Sequence, residues 1–280
     1  MDHLRPLLAT YAYNITGCYE ASLDIVQDAF LKFLQKDTAN IINQKAYLVR
    51  SVINLAINYK KKSRRLQNEY TGIWLPEPVD THEADSALNK NDVLSYSLMV
   101  LLERLTPRQR AVFILKEAFD YRHEEIAEVL EMTIDNSRQV LKRAKQYLQP
   151  GEKPAKNDIE KELLLKYVNA IKRGDVYELE LMLKADISVI SDGGGKVLAA
   201  LKPIFGKVNV IRFLQGLQTK FFSKRTFKYG WVNHQQAVFH YEDGMMVSCQ
   251  VFVFEHNEIA NIFFIRNPDK LSRFKYSDCL

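Results

Sequence analysis

The residues best suited to chemistry in the first half of the chain lie on one short basic stretch. In TIDNSRQVLKRAKQYL, residues 133–148, helical spacing puts Asn136, Gln139 and Arg143 on one outer stripe. Arg, Asn and Gln side chains hydrogen-bond to base edges in the major groove of DNA, and Lys side chains meet phosphates. The stretch therefore predicts a DNA-reading helix. Its predicted contact residues are Asn136, Arg138, Gln139, Lys142, Arg143 and Lys145.

The spacing of two helices supports this interpretation over a merely solvated basic face. HEEIAEVLE, residues 123–131, reads as a short helix that ends just before the basic stretch. Two short helices joined by a tight turn are typical of a helix-turn-helix, in which the second helix enters the major groove. The predicted inward face of the second helix consists of Ile134, Val140, Leu141, Ala144 and Leu148.

A second basic cluster, NYKKKSRR at residues 58–65, ends an earlier helix and leaves two interpretations open. Basic residues at a helix C-terminus suit the helix dipole. Together with tyrosines on the same helix, they also suit phosphates and unstacked bases. On the nucleic-acid interpretation, the contacts are Asn54, Asn58, Tyr59, Lys60, Lys61, Arg64 and Arg65.

Length and composition bound the classes of protein. The 280 residues suffice for two or three domains, and 47% of them are apolar, as in ordinary globular proteins. No stretch approaches the roughly 18 apolar residues of a membrane span, and the N-terminus does not read as a secretory signal. Cys18, Cys249 and Cys279 lie far apart, which favours free thiols in a reducing cytoplasm over disulfides or a zinc site. No phosphate-binding loop, hydrolase elbow or zinc-protease motif occurs, so no cofactor or metal is predicted.

The chain divides by pattern into a helical front half and an α+β rear domain. Helical periodicity covers the front half apart from a proline-containing break, whereas strand-like runs rich in Val, Ile, Phe and Tyr begin at ISVIS, residues 187–191. The rear domain is predicted to carry a curved antiparallel sheet. The predicted segments are a helical module at 1–66, a linker at 67–86, a second helical module at 87–149, a linker at 150–157 and the α+β domain at 158–280.

The order of these parts closely resembles a bacterial sigma factor of the extracytoplasmic-function group, which belongs to the sigma-70 family. The resemblance is carried by DIVQDAFLKFL, AYLVRSVINLAINYKKKSRR and LTPRQRAVFILKEAFDYRHEEIAEVL, followed by the basic helix. It implies core RNA polymerase as partner, through its beta-prime clamp helices and beta flap. The implied polymerase contacts on the first of these stretches are Asp24, Gln27, Asp28 and Phe30.

The resemblance also assigns the two basic elements to promoter DNA. It implies that the tyrosine- and lysine-rich helix opens the minus-ten element and that the helix-turn-helix reads the minus-thirty-five element. One departure is Glu131, where relatives often carry glycine in the interhelical turn. A positive φ at that position would cost about 1 kcal/mol for a glutamate.

Three short motifs resemble one subgroup of these factors, which carries a fused SnoaL-like domain of the NTF2-like fold. They are WLPEP in the linker, SDGGGK at 191–196 and RNPDKL at 266–271. We hypothesise that the rear domain grips WLPEP, with Trp74 docked on the glycines and Lys196 paired with Glu77, and so acts as a built-in regulator. The predicted contact residues are Trp74, Leu75, Pro76, Glu77, Asp192, Gly193, Gly194, Gly195, Lys196, Asn267, Pro268 and Asp269.

Other functions compete with this one. Asp192, His234 and His240 are the candidates for an acid/base pair, but single histidines on strands are more often structural, so no enzyme is predicted. A small-molecule ligand in the rear domain is the alternative to a purely protein-contacting role. The main alternative for the whole chain is a ligand-sensing helix-turn-helix regulator that does not dock on polymerase. A DNA-tethered cyclase or hydrolase is the third hypothesis.

Overall fold

The computed structural model describes residues 1–36, 41, 43–67, 69–81, 87–148, 158–221, 225–272 and 274. The predicted linker at 150–157, and residues 68 and 82–86 of the first linker, lie outside the described residues. The chain forms two compact units. One comprises 1–69 with 83–150, and the other comprises 70–82 with 151–280. The stretch that contains WLPEP therefore belongs to the same unit as the C-terminal part of the chain.

The first unit is all-helical. Its first three helices pack around Tyr13, Val26 and Val52, which are buried at the helical spacing of their sequences. The helix that starts at Pro107 begins with a capping box. In it, Thr106 and Gln109 satisfy each other's backbone N–H groups, and Pro107 takes the first helical position. The helices of this unit are α1 (Arg5–Thr16), α2 (Tyr19–Leu34), α3 (Gln44–Gln67), α4 (Tyr96–Leu101), α5 (Pro107–Glu117), α6 (His123–Leu130) and α7 (Ile134–Tyr147).

The turn between α6 and α7 uses a left-handed residue. Glu131 has φ 49° and ψ 58°, the left-handed conformation that glycine adopts most readily. A glutamate there costs about 1 kcal/mol relative to a relaxed backbone. Its side chain pairs with Arg50 on α3, but both groups are exposed, so the pair offsets only a small part of this cost.

The second unit is α+β. Gly174, at φ +68°, ends its first helix, and Asp175 caps the next one by accepting from the Glu178 N–H. The elements of this unit are α8 (Asp158–Arg173), α9 (Val176–Met182), β1 (Leu183–Asp192), β2 (Ile204–Phe205), α10 (Lys207–Phe221), β3 (Thr226–Val232), β4 (Gln235–Glu242), β5 (Met245–Glu255), β6 (Glu258–Ile265) and α11 (Pro268–Leu271).

Its six strands form one sheet in the order β2-β1-β6-β5-β4-β3. All neighbouring pairs are antiparallel except β1 and β6, which run parallel. The sequence pattern predicts an antiparallel sheet, and this one pair differs because helices and hairpins separate β1 from β6 along the chain. The sheet is therefore mixed.

The two faces of the sheet have different coverings. On one face, which we call the helix face, Val238, Phe252 and Ile262 pack in one core with Tyr167 of α8 and Leu214 of α10. The opposite face carries Phe239, Cys249 and Ile265, which occupy the alternate strand positions. We call it the segment face, because residues 70–81 bond to groups at its strand ends, as described below.

Candidate functional site

Helix α7 presents the predicted DNA contacts together on one exposed surface. Ser137, Leu141 and Ala144 are buried on its other side. Ile134 differs from the prediction, since 38% of it is exposed, because it lies at the start of the helix, ahead of the packed turn. The six predicted contact residues are all exposed, namely Asn136, Arg138, Gln139, Lys142, Arg143 and Lys145.

Two features hold this surface in place. His123 at the start of α6 hydrogen-bonds to Ser137 through its Nδ1, at 2.9 Å. The Thr133 hydroxyl caps α7 by accepting from the Asn136 N–H at 3.1 Å. Arg138 and Lys145 form surface ion pairs with Asp135 and Glu117, which an incoming phosphate can replace at little cost.

Helix α3 divides the predicted minus-ten residues into two sets. Asn58, Tyr59, Lys61 and Arg65 are exposed. The others face the second helical module of the same unit. The Asn54 amide donates to the Val129 carbonyl at 3.3 Å, and Arg64 donates to the carbonyls of Glu103 and Leu105.

Lys60 departs most from the predicted DNA-facing position, since only 1% of it is exposed. Its Nζ donates to Glu103 Oε1 at 2.9 Å and to the Thr16 carbonyl at 2.8 Å. Arg110, also buried, pairs with Glu103 and donates through Nε to the Asn14 carbonyl at 2.8 Å. Glu103 therefore bridges two buried cations where the first three helices meet α5. We call this group the Glu103 cluster.

Burial is the largest single influence on the pKa values of Lys60 and Glu103. Loss of water lowers the pKa of Lys60 to about 7, against the attraction of Glu103. Burial alone would raise the pKa of Glu103, but the charges of Arg110 and Lys60 and their hydrogen bonds lower it overall.

The predicted polymerase-docking residues on α2 are also divided. Asp24, Gln27 and Asp28 are exposed along one side. Phe30 was predicted with them but is only 6% exposed, and the Arg5 guanidinium covers its ring at 4.2 Å. Helical spacing continues the exposed side to Leu31 and Leu34 instead, the latter 73% exposed.

In the α+β unit, Asp192 at the end of β1 joins the linker segment to the domain. Its Oδ2 accepts from the Leu75 N–H at 2.8 Å, and its Oδ1 accepts from the Tyr70 hydroxyl at 2.5 Å. Lys270 of α11 lies 2.6 Å from Oδ2 and also donates to the Leu75 carbonyl. Both backbone groups of Leu75 are thus held by a buried ion pair. Asn267 completes the group by donating to the Tyr70 oxygen at 3.0 Å.

The anchor of WLPEP is Leu75 rather than Trp74. Leu75 is fully buried, whereas Trp74 is only partly buried and lies beneath Lys270, whose Nζ is 4.2 Å from the ring centroid. The sequence singles out Trp74 because of its size, but the structure places its ring against the Lys270 ammonium, in a cation–π contact.

The glycine loop contacts other residues than predicted. A side chain at Gly194 would meet the Asn267 amide at 2.5 Å, and one at Gly195 would meet Thr71 at 3.3 Å. Both glycines have positive φ. Lys196 pairs with Asp269 at 2.6 Å, not with Glu77 as predicted, because α11 brings Asp269 to the loop.

A second anchor lies at the β3–β4 turn. Val79 and Asn233 exchange hydrogen bonds of 2.9 Å, and Asp80 forms a bridge with Val232. The Thr81 hydroxyl accepts from the His234 N–H at 3.0 Å.

Sequence analysis missed Tyr70, Asn233 and Lys270. Lys270 lies inside the RNPDKL motif, which was the available signal, whereas nothing in the sequence marks Asn233.

The predicted acid/base candidates do not meet. Strand register puts Asp192 in one row with Ile265, Cys249 and Phe239, and puts His240 in the next row, on the helix face. His234 lies in the β3–β4 turn.

Across the described residues, no cluster of three or more His, Cys, Asp or Glu side chains is arranged to hold a metal ion. No helix in that part of the chain is long and apolar enough to cross a membrane.

Comparison with known proteins identifies the family of the helical unit. Residues 1–66 match the family described as Sigma-70 region 2, and residues 95–148 match Sigma-70, region 4. The fold and these matches define a sigma-70 protein. Over 231 residues the chain is 32% identical to the ECF RNA polymerase sigma factor SigJ of Mycobacterium tuberculosis, covering 79% of this chain and 72% of that one. The chain belongs to the extracytoplasmic-function sigma factors, which confer promoter specificity on core RNA polymerase and are not enzymes.

Solved structures extend the comparison to the whole chain. The crystal structure of M. tuberculosis SigJ aligns with a TM-score of 0.80 at 27% identity, over 97% of this chain and 96% of that one. An NTF2-like protein of Cytophaga hutchinsonii aligns with 42% of this chain and 98% of its own, at 10% identity and a TM-score of 0.30. The sigma-70 matches and the SigJ structure confirm the predicted class of protein and its helical and α+β parts.

Proposed function

We propose that this sigma factor reads the minus-thirty-five element with the exposed face of α7 and the minus-ten element with α3, while α2 docks on core polymerase in the cytoplasm. The supporting observation is that all six predicted contact residues of α7 are exposed. On α2, we assign docking to Asp24, Gln27 and Asp28, with Leu31 and Leu34 as the apolar continuation in place of Phe30.

We propose further that the helical unit is closed and must open to use its whole minus-ten surface. Asn54, Lys60 and Arg64 bond to the second helical module, so they are not available to DNA in this arrangement. Promoter elements that lie well apart on DNA also require the two modules to separate. The Glu103 cluster is the main polar contact that separation would break.

The role we propose for the α+β unit is to hold residues 70–81 and so control the connection between α3 and α4. Both ends of this segment continue into the helical unit, whereas the segment itself belongs to the α+β unit. Anchors at Leu75 and at Val79 shorten the length of chain that is free to span the two modules. The unit would therefore act as a fused regulator and not as a catalyst.

A small molecule bound to the α+β unit would occupy the helix face. The segment face is engaged by residues 70–81, where Leu75 and Val79 are buried. On the helix face, buried polar side chains such as His240, Ser248 and Gln250 interrupt the apolar core.

Run-off transcription with core polymerase tests the promoter-reading proposal. We expect Arg143→Ala and Gln139→Ala to lower promoter-specific transcript while leaving association with polymerase unchanged. Each lost base contact is worth about 1–3 kcal/mol of discrimination. Arg104→Ala, an exposed arginine outside α7, is the matched control. Full promoter-specific transcription by the two α7 variants would refute the assignment.

A further inference from the structure

Strand register lines up hydrogen-bond donors across one end of the helix face. Phe227 of β3 pairs with His240 of β4, and His240 pairs with Ser248 of β5. Because Cys249 pairs with Ile265, Arg266 comes beside Ser248 as the next residue of the same row. Alternation along the strands puts all four on the helix face. We call this line of side chains the donor row.

Three polar atoms in and beside this row have no internal partner in the described part of the chain, although Arg266 also donates through Nη1 to the Leu198 carbonyl. Ser248 Oγ, Gln250 Nε2 and Arg266 Nε are buried and have no hydrogen-bond partner among the described residues. Ser248 and Gln250 are 2% and 1% exposed. A buried donor without an acceptor costs about 1–3 kcal/mol, so three together in one place indicate a missing acceptor.

The charges around the row are mainly positive. The Arg225 and Arg266 guanidinium groups lie 4.9 and 5.6 Å from the centroid of the Phe221 ring. Lys172 lies over the Phe227 ring at 4.7 Å. The carboxylate at this end is that of Glu242, which is paired with Arg225 at 3.1 Å.

Burial and the nearby positive charges affect the pKa of His240, the histidine of the row. Burial lowers the pKa of His240 to about 3, helped by the charges of Arg225 and Arg266 and opposed by a hydrogen bond with Gln250. The ring is therefore neutral at physiological pH and adds no charge of its own.

From this geometry we infer that the donor row binds the carboxylate of a small organic anion, with its apolar body between the aromatic rings at that end. A carboxylate only accepts hydrogen bonds, which matches Ser248, Gln250 and Arg266. Water could also bond to these groups, since the Ser248 oxygen and a neutral imidazole nitrogen both accept, so the probes below are chosen to distinguish a bound carboxylate from simple hydration. The rings of Phe221 and Phe227, which lie beside Arg225 and His240, supply the apolar walls.

This inference deepens the proposal that the helix face receives a small molecule. It is independent of promoter recognition and of the anchors of residues 70–81. The anion is identified by its chemistry alone, as a carboxylate attached to a small apolar or aromatic body.

The test uses the full chain with ¹³C-labelled histidine and two isosteric probes, benzoate and benzamide, followed by NMR. We expect benzoate to shift the His240 ring signals and benzamide to bind at least about tenfold more weakly. Ser248→Ala and Arg266→Gln should each weaken benzoate binding, whereas Arg212→Gln, an exposed arginine on α10, should not.

Each other outcome overturns the inference in a distinct way. Equal binding of both probes would leave a ligand site on the helix face but refute its selectivity for a carboxylate. No response to benzoate or to acetate would mean that the donors are merely hydrated, and the ligand proposal would fail as well. Equal benzoate binding by wild type and Arg266→Gln would place the probe elsewhere. Run-off transcription by the same samples reports separately on promoter recognition.

Discussion

Lys270 Nζ lies 2.6 Å from Asp192 Oδ2, and both side chains are almost completely buried. This ion pair holds both backbone groups of Leu75, a residue nearly two hundred positions before Lys270. A buried pair of charges is weak evidence for net stability, but removing either partner is strongly destabilising, since it leaves the other charge without compensation.

Asp192→Asn is expected to release the linker segment. It leaves Lys270 buried beside a neutral amide and weakens the acceptor of the Leu75 N–H, at a cost of about 3–5 kcal/mol. Hydrogen exchange at the Leu75 amide should accelerate, and the unfolding midpoint of the α+β unit should fall. Asp186→Asn, an exposed position on the same strand, is the control. Unchanged protection of Leu75 in Asp192→Asn would contradict the assignment.

Two glycine substitutions are expected to have opposite effects. Gly194→Ala places a methyl group 2.5 Å from the Asn267 amide at a position with φ +67°, so it should destabilise the α+β unit. Gly216→Ala lies within α10 with open space around it and should stabilise that unit by about 0.5–1 kcal/mol. Chemical denaturation measures both. The same sign of change for the two variants would be inconsistent with the close approach described at Gly194.

Glu103→Gln is expected to open the helical unit. The substitution leaves Lys60 and Arg110 buried without a counter-charge, which costs about 3–5 kcal/mol. Opening would expose Asn54 and Lys60 and should increase the protease sensitivity of the chain between α3 and α5. Glu128→Gln removes an exposed carboxylate from the same module and should leave digestion at the wild-type rate. An equally resistant Glu103→Gln protein would show that the cluster does not hold the unit closed.

The pKa of Lys60 predicts a pH dependence of stability. In the folded unit this pKa is about 7, against an ordinary value of 10.5. Between these values the unfolded chain binds a proton that the folded chain does not, so the free energy of unfolding should rise with pH over this window. Below pH 7 both states are protonated and the burial penalty is fully present. Urea titrations at a series of pH values measure the free energy of unfolding. It should rise with pH in wild type but not in Lys60→Met, and parallel pH profiles of the two proteins would refute the prediction.

Features that depend only on residues close together along the chain could be predicted from the periodicity of the sequence. The exposed face of α7 follows from helical spacing alone, since Ser137, Leu141 and Ala144 occupy the buried positions between the contact residues. Sequence analysis raises the positive φ of Glu131 only as a condition, through the resemblance to factors with glycine in this turn, and the structure shows it.

Long-range contacts were beyond what local pattern could predict. Lys60 reads as one of several basic residues at a helix end, and nothing near it in sequence announces that Glu103 and Thr16 will surround it. Likewise the size of Trp74 suggests an anchor, whereas the anchor is Leu75 because Asp192 and Lys270 meet at its backbone. Such positions are fixed by tertiary partners and not by residue type.

The most direct test compares full-length wild type, Asp192→Asn and Asp186→Asn in run-off transcription with core RNA polymerase on one promoter. If the α+β unit controls the sigma factor through its hold on residues 70–81, Asp192→Asn will change the transcript yield several-fold while Asp186→Asn matches wild type. Equal yields from all three proteins, with Leu75 shown to be released in Asp192→Asn, would contradict the account.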